Sequence, residues 1–164
     1  MCQENSYQKM NFKYLADHEE AIPIIAKWYF NEWGHRAKEN SMEEFSLNLQ
    51  KYLNRDKIPL MVLAIDSEKI IGTAQLKYRE MDIYPNKEHW IGGIFVTKQY
   101  RGNSVATRLI KKTINIAQSL DVNILHLQTV RLDGGLYTRL GWKPIEQVQY
   151  KGLNVLVMEK HLGT

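Results

Sequence analysis

The strongest structural signal in this chain of 164 residues is the run Ile94-Phe95-Val96-Thr97-Lys98-Gln99-Tyr100-Arg101-Gly102-Asn103-Ser104-Val105-Ala106. An apolar strand leads through a loop of small and basic residues into a helix. The first backbone N–H groups of such a helix have no partner within it, and together with the helix dipole they attract an anion. Gly102, Ser104 and Ala106 are small enough for a pyrophosphate to approach the backbone. The run has neither a Walker Gly-Lys-Ser/Thr nor a three-glycine dinucleotide fingerprint, so an ordinary tight loop is the alternative interpretation.

The basic charge of the chain is concentrated around this run. Residues 89–120 contain five of the 22 basic residues and none of the 18 acidic residues. Because the formal net charge of the whole chain is +4, the remainder carries −1. A solvated helix face without acids is one interpretation of this window. A nucleic-acid surface usually spreads its basic residues over several elements, with aromatic residues between them, so the local charge favours a small polyanion over nucleic acid or a membrane.

Composition limits the class of protein further. Hydrophobic residues make up 44% of the chain, which excludes a disordered or low-complexity protein. The longest apolar run, residues 58–65, is too short to cross a bilayer, and the polar N-terminal stretch lacks the apolar centre of a secretory signal. Cys2 is the single cysteine, so no intrachain disulfide can form. We expect one domain over residues 1–164, a flexible terminus over residues 1–10 and a cytoplasmic location.

Hydrophobic periodicity and turn residues predict a mixed order of helices and strands. The predicted order is a strand at 11–15, a helix between Asp17 and Gly34, a helix after Ser41, strands at 59–65, 70–78 and 90–96, a helix at 103–120, a strand at 122–129, a short helix at 135–140, and strands at 143–149 and 154–160. Asp17 is the expected N-cap of the first helix, and Ser41 with Glu44 forms a capping box for the second. Gly92 and Gly93 predict a bulge in the middle of a strand.

Two motifs in this order resemble those of the GNAT acetyltransferase superfamily. Arg101-Gly102-Asn103-Ser104-Val105-Ala106 is similar to the acyl-CoA loop Arg/Gln-x-x-Gly-x-Gly/Ala, with Ser104 in place of the central glycine. Leu136-Tyr137-Thr138-Arg139-Leu140-Gly141-Trp142 is similar to the family's Leu-Tyr-x-x-x-Gly-Phe/Trp. The resemblance covers residues 11–162 and is to the small, single-domain bacterial members. It implies an α/β (α+β) fold: a central, mixed, mostly antiparallel twisted sheet of about six or seven strands, splayed at its centre and flanked by about four helices.

The resemblance implies an acetyl-CoA-dependent N-acetyltransferase. Acetyl would pass directly, in a ternary complex, to a primary amine of a small molecule or a peptide. The alternative is a non-catalytic module that binds or senses acyl-CoA. The residues expected to hold acetyl-CoA are Ile94, Phe95, Val96, Arg101, Gly102, Asn103, Ser104, Val105, Ala106, Thr107 and Tyr137. No spacing of His, Cys, Asp and Glu indicates a metal site, and none is expected.

The same resemblance implies catalytic roles for three residues. The Val96 backbone N–H would stabilise the oxyanion, and Tyr137 would protonate the departing sulfur, unless it only packs against the cofactor. Gly92 stands where many relatives carry a glutamate that acts as general base. Glu88, at the start of the same strand, is the candidate base, with a solvated carboxylate and a water relay as the alternatives.

The acceptor would lie against the first two helices and the loop around residues 78–87. Aromatic side chains there could form its walls or belong to the core: Trp28, Tyr29, Trp33, Tyr78 and Tyr84. Glu80 and Asp82 could attract a cationic amine. The identity of the acceptor and the choice between monomer and homodimer are left open by the residues.

Overall fold

Seven strands form one mixed sheet in the computed structural model, which describes residues 10–35 and 41–163. The strands are β1 (Met10–Tyr14), β2 (Leu60–Asp66), β3 (Lys69–Tyr78), β4 (His89–Val96), β5 (Ile124–Thr129), β6 (Lys143–Tyr150) and β7 (Leu153–His161). Their order across the sheet is β1-β2-β3-β4-β5-β7-β6. Neighbouring strands are antiparallel except β4 and β5, which are parallel. The predicted mixed, mostly antiparallel sheet is confirmed.

Four α-helices flank the sheet in the described part of the chain. They are α1 (Ile22–Trp33), α2 (Met42–Leu49), α3 (Val105–Ser119) and α4 (Gly135–Arg139). The Ser41 hydroxyl accepts the Glu44 backbone N–H, so the predicted cap of α2 is confirmed. The predicted Asp17 cap of α1 is wrong, because two short 3-10 turns precede the helix and Ala21 is its N-cap. The Asp17 carboxylate instead accepts hydrogen bonds from the Arg55 guanidinium.

The core lies on both faces of the sheet. Alternate residues of β2 point to opposite faces. Leu60 and Val62 pack in the cluster that contains the apolar side of α3. Met61 and Leu63 pack in the cluster that contains α1 and α2. A continuous apolar β2 therefore holds two helical layers to one sheet, and a third cluster around Trp90 closes the end that carries β6 and β7.

The terminal residues 1–9, including Cys2, lie outside the described residues, so the predicted flexible terminus concerns only Met10 here. Met10 is 5% exposed and begins β1, so the flexible stretch does not extend to it. Among the residues that the structure describes, every helix is too short or too polar to cross a bilayer.

His126 joins β4, β5 and β7 at the centre of the sheet. It lies opposite Trp90 in the β4–β5 register, and its Nε2 is 3.3 Å from Glu159 Oε2 on β7. Burial of the imidazole lowers the pKa of His126 from its ordinary value, although the Glu159 carboxylate opposes that shift. His161 also contacts Glu159, with 3.2 Å between Nε2 and Oε1, but its side chain is 64% exposed.

Acidification should therefore destabilise the fold through His126. Because its pKa is lower in the folded protein, the unfolded chain binds the proton first as the pH falls below 6.5, and stability declines from there until the folded imidazole also protonates. His126→Gln, which retains a hydrogen-bond donor but does not ionise, should lose less stability between pH 7 and pH 5 than the wild type. Urea unfolding at both pH values measures this. His161→Gln is the matched control, and equal losses in the two variants would contradict the role of His126.

Candidate active site

The N-terminus of α3 has the properties of an anion site. Ser104, its N-cap, has φ 64°, makes no side-chain capping hydrogen bond, and is followed by a first turn without acidic residues. Gly102 has φ 80°, a conformation that glycine adopts readily. These two left-handed residues cannot belong to a helix, so α3 begins at Val105 rather than at the predicted Asn103. The first N–H groups of α3, from Val105 to Thr107, are left to face a ligand.

β4 and β5 separate next to this helix end. Their register comprises one pair in the described chain, Trp90 with His126. The Thr97 N–H donates to the Ile71 carbonyl of β3 at 2.9 Å, so the amide of residue 97 faces β3. Because successive amides of a strand face alternate edges, the Val96 amide faces away from β3, toward the side where β5 has diverged. The predicted splay is present, and the Val96 N–H lies at its edge.

Arg101 folds back onto β4. Its Nε donates to the Val96 carbonyl at 2.9 Å, and its guanidinium lies 5.6 Å from the centre of the Phe95 ring. The Asn103 side chain donates to the Arg101 carbonyl at 3.2 Å and steadies the loop. By alternation the amide of Phe95 faces β3, where it is in register with Thr73. The amide of Phe95 is therefore turned away from the splay, whereas the amide of Val96 faces it.

A bulge in β4 sets the direction of the strand here. The β3–β4 register shifts by one residue between Thr73 and Gln75, opposite Gly93, which has φ 56°. The Gly93 carbonyl accepts hydrogen bonds from the hydroxyls of Tyr29 at 2.6 Å and Thr73 at 2.8 Å. Burial raises the pKa of Tyr29, so its phenol remains a neutral donor. The predicted bulge is confirmed, but the contribution of Thr73 was not predicted, since no local signal links it to residues 20 positions away.

Tyr137 lies on the α3 face of the sheet. It lies on α4, packs against the first core cluster and contacts Trp142 edge-to-face at 6.2 Å. Burial, followed by the charge of the Glu80 carboxylate, raises the pKa of Tyr137 to about 12. The phenol is therefore neutral at physiological pH. It is also a weaker acid than the value of roughly 10 for an unperturbed tyrosine.

The aromatic residues expected around the acceptor divide between core and site. Tyr29 is buried, whereas Trp28 stacks on Phe95 with 5.2 Å between ring centres. Trp33 meets Phe95 edge-on at 6.5 Å. Tyr84 donates its hydroxyl to Glu146. Thus α1 and β4 bring Trp28, Trp33 and Phe95 together, and Tyr84 lies elsewhere, against Trp90.

The carboxylates that the sequence suggested lie in different places. Glu80 Oε1 is 2.7 Å from Lys77 Nζ, and both side chains are about four-fifths buried. Asp82 accepts the Tyr150 hydroxyl at 3.1 Å. Glu88 is half-exposed and lies 3.9 Å from the imidazole of His89. No group of three His, Cys, Asp or Glu suitable for a metal occurs among the described residues.

The arrangement fits acetyl-CoA: uncapped N–H groups for phosphates, a splayed strand whose amide edge has no strand partner among the described residues, and a neutral phenol on the α3 face of the sheet. The sequence model of the acetyltransferase (GNAT) family matches residues 19–142. The chain belongs to the GNAT acetyltransferase family. It is accordingly an acetyltransferase of that family, with the loop and the tyrosine expected from its motifs in the expected elements.

Solved structures show the same fold. An aminoglycoside 6'-acetyltransferase of type Ii is 15% identical, with a TM-score of 0.73 over 94% of this chain and 98% of that chain. A GNAT structure from Salmonella typhimurium that contains its cofactor acetyl-CoA is 14% identical, with a TM-score of 0.73 over 94% and 95%. An aminoglycoside 6'-N-acetyltransferase complexed with coenzyme A is 14% identical, with a TM-score of 0.70 over 94% and 98%. Among curated proteins, no significant sequence match is found.

Substitution of Gly93 should damage this site. A Cβ at Gly93 would lie 2.5 Å from Gln75 Oε1 and 2.8 Å from the Tyr29 hydroxyl, at a φ that disfavours alanine. We expect Gly93→Ala to lower the free energy of unfolding by about 1–3 kcal/mol, or the melting temperature by about 2–10 °C. Thermal unfolding measures this. Gly152→Ala, at φ 81° with open space around it, is the matched control and should cost about 1 kcal/mol; equal costs would contradict the steric argument.

Proposed function

We propose that this protein transfers the acetyl group of acetyl-CoA to a primary amine of a small molecule or a peptide. One arrangement supports the proposal: the Val96 amide faces the side where β5 has diverged, the Glu80 carboxylate lies beside Gly92 of β4, and Tyr137 is near enough for the Glu80 charge to contribute to its raised pKa. An acetyl transfer to nitrogen requires a group for each of three tasks, namely stabilising the oxyanion, assisting the departure of sulfur and accepting a proton from the amine. A site with all three favours catalysis over binding alone.

Binding of acetyl-CoA would use the residues that the sequence suggested. The backbone N–H groups of residues 105–107 would receive phosphate oxygens, and the positive end of α3 would stabilise their charge. The peptide-like arm of the cofactor would pair with the free edge of β4 at Ile94 and Val96. Arg101 would keep the loop and strand together through its bond to the Val96 carbonyl.

The raised pKa of Tyr137 sharpens its proposed role. The phenol donates a hydrogen bond readily at any physiological pH, because it stays protonated. Complete proton transfer to a thiolate, whose conjugate acid has a pKa of roughly 8.5, is unfavourable from a phenol at about 12. We therefore assign Tyr137 chiefly the stabilisation of charge developing on the departing sulfur, with proton transfer completed as the carbon–sulfur bond breaks.

A non-catalytic acyl-CoA sensor is the second candidate, and Gly92 is the observation that favours it. The strand carboxylate of many relatives is missing at this position. The Glu80 carboxylate beside Gly92 weakens this alternative, since it supplies the missing chemical group from another element.

An amine panel separates the two candidates. We expect the protein to release coenzyme A from acetyl-CoA in the presence of at least one class among alkylamines, polyamines, aminoglycosides and peptides with a free α-amine. A thiol reagent follows release, and mass spectrometry identifies the acetylated amine. The chain has one cysteine, so only release beyond one equivalent counts. Binding of acetyl-CoA without transfer to any amine would favour the sensor.

Tyr137→Phe tests the site on the cofactor side. Loss of the hydroxyl should lower kcat about 10²-fold, because the interaction is made chiefly as the sulfur departs, and should change the KM for acetyl-CoA less than about threefold. Steady-state kinetics with the best amine of the panel measures both constants. Tyr14→Phe on β1 removes a hydroxyl away from the site and serves as control. An unchanged kcat in Tyr137→Phe would contradict the assigned role.

A further inference from the structure

The space above Gly92 is filled by an ion pair from outside its strand. A Cβ built at Gly92 would lie 2.7 Å from Lys77 Cε, 3.1 Å from Lys77 Nζ and 3.3 Å from Glu80 Oε1. The absence of a side chain at Gly92 is therefore what lets Lys77 cross the strand and meet Glu80. The Glu80 carboxylate therefore lies close to position 92, where β4 itself has no carboxylate side chain.

Local backbone geometry fixes Glu80 in this position. Arg79 has φ 42°, an uncommon conformation for a residue other than glycine, and its N–H donates to the Glu88 carbonyl at 2.9 Å. This turn reverses the chain after β3 and directs residue 80 back over the sheet. Met81, the next residue, is fully buried in the cluster around Trp90 and anchors the turn. Glu80 is thus held between a strained turn and a buried anchor.

The Lys77–Glu80 pair is more buried than a surface ion pair requires. The side chains are 20% and 19% exposed, with 2.7 Å between Nζ and Oε1. Removing charges from water costs free energy that a pair in this position recovers only in part, so the pair is weak evidence for stability. Strained backbone next to a largely buried ion pair is instead typical of a functional site.

Glu80 and Tyr137 lie on opposite faces of the sheet. Tyr137 packs with α3, whereas Gly92 has the same alternation as Trp90, whose side chain lies in the cluster on the other face. The charge of Glu80 contributes to the raised pKa of Tyr137, which places the two groups within electrostatic reach of each other. An acceptor on the Glu80 side and a cofactor on the Tyr137 side would meet in the gap between them.

We propose that Glu80 binds the ammonium of the acceptor and accepts its proton, and that Lys77 positions this carboxylate. The inference rests on the proposed function and adds the class of substrate: a primary amine that arrives as a cation. The Lys77 ammonium also acts on the acceptor, because a nearby like charge disfavours the protonated amine. Lys77 thereby orients the base and offsets part of the rise in the acceptor's pKa that the Glu80 carboxylate causes.

The transfer balances with these groups. One ammonium proton moves to the Glu80 carboxylate and then to solvent, and the freed electron pair of nitrogen forms the carbon–nitrogen bond to the acetyl carbonyl. The carbon–sulfur bond breaks, and its electron pair leaves on sulfur, which takes a proton. The second proton of the new amide nitrogen leaves by the same carboxylate. The products are an N-acetyl amine, coenzyme A as the thiol and one proton in solution.

Glu88, the base suggested by the sequence, is less well placed. It precedes Gly92 by four residues, roughly 13 Å along an extended chain. Its side chain is 51% exposed and faces His89. Glu80 is distant from Gly92 in sequence but adjacent in space. The turn at Arg79 thus brings a carboxylate to a position where β4 has none.

The test compares two acceptors in Glu80→Gln. With the best alkylamine of the panel, kcat/KM should fall about 10²–10³-fold, because the amine is an ammonium at neutral pH and needs a base. With a β,β-difluoro analogue of the same amine, which is largely neutral at pH 8, the loss should be less than about tenfold. The loss with the alkylamine should also shrink as the assay pH rises. If the role of Glu80 were purely structural, Glu80→Gln would lower kcat/KM by the same factor with both acceptors.

Controls separate folding, charge and position. Acetyl-CoA affinity and thermal unfolding report whether Glu80→Gln is folded, and Asp121→Asn removes an exposed carboxylate at the turn after α3. If Glu80→Gln does not fold, Glu80→Asp is the second variant. It keeps the charge but withdraws it by one methylene, so kcat/KM should fall less, and again more with the alkylamine than with its difluoro analogue.

Unchanged alkylamine turnover, equal losses of kcat/KM with both acceptors, or an equal effect of Glu88→Gln would each overturn the inference. A wild-type protein that acetylates no amine would instead overturn the proposed function, and this inference with it.

Discussion

The break in hydrogen bonding between β4 and β5 is the constraint on which the rest of the structure depends. Buried backbone groups must be paired, and a strand in the middle of a sheet normally finds its partners on both sides. Here the bulge at Gly93 changes the direction of β4, and the hydroxyls of Tyr29 and Thr73 donate hydrogen bonds to the Gly93 carbonyl. Among residues 10–35 and 41–163, no strand pairs with the amide of Val96 on the side of β5. An amide-containing ligand would suit that edge, so the proposed binding site follows from the irregularity of the sheet.

Close packing of α3 against the sheet fixes the anion site relative to this gap. A Cβ at Gly72 would lie 2.8 Å from Leu109 Cδ1 and 2.9 Å from the Phe95 carbonyl oxygen, so only glycine lets the helix approach β3 and β4 this closely. Val105 and Leu109 are fully buried beneath it. The helix therefore cannot shift without losing its core, and its uncapped end stays beside Val96. One packing interface therefore positions both the proposed phosphate site and the proposed reaction site.

Features encoded within a few residues could be predicted from the sequence, and those that depend on distant register could not. Ser41 with Glu44, the glycine pair of β4 and the acyl-CoA loop are local patterns, and the structure contains each of them. The Asp17 cap failed because Arg55, far along the chain, takes its carboxylate. The Lys77–Glu80 pair above Gly92 depends on the β3–β4 register and on the left-handed turn at Arg79, neither of which composition or spacing reveals. The missing strand glutamate was visible in the sequence, but its replacement was visible only in three dimensions.

The electrostatic coupling between Glu80 and Tyr137 bears on the order of the two proton transfers in the proposed reaction. An ionised Glu80 contributes to the high pKa of Tyr137, so the phenol is held protonated while the carboxylate is free to receive a proton. In the proposed transfer, the proton that passes from the acceptor to Glu80 removes that negative charge, and burial alone then raises the pKa of Tyr137. The phenol thus becomes a stronger hydrogen-bond donor and acid after the amine has been deprotonated, when the sulfur begins to depart. In the proposed transfer, the placement of the two groups on opposite faces of one splayed sheet lets the proton taken from the acceptor prepare the donation to the leaving group.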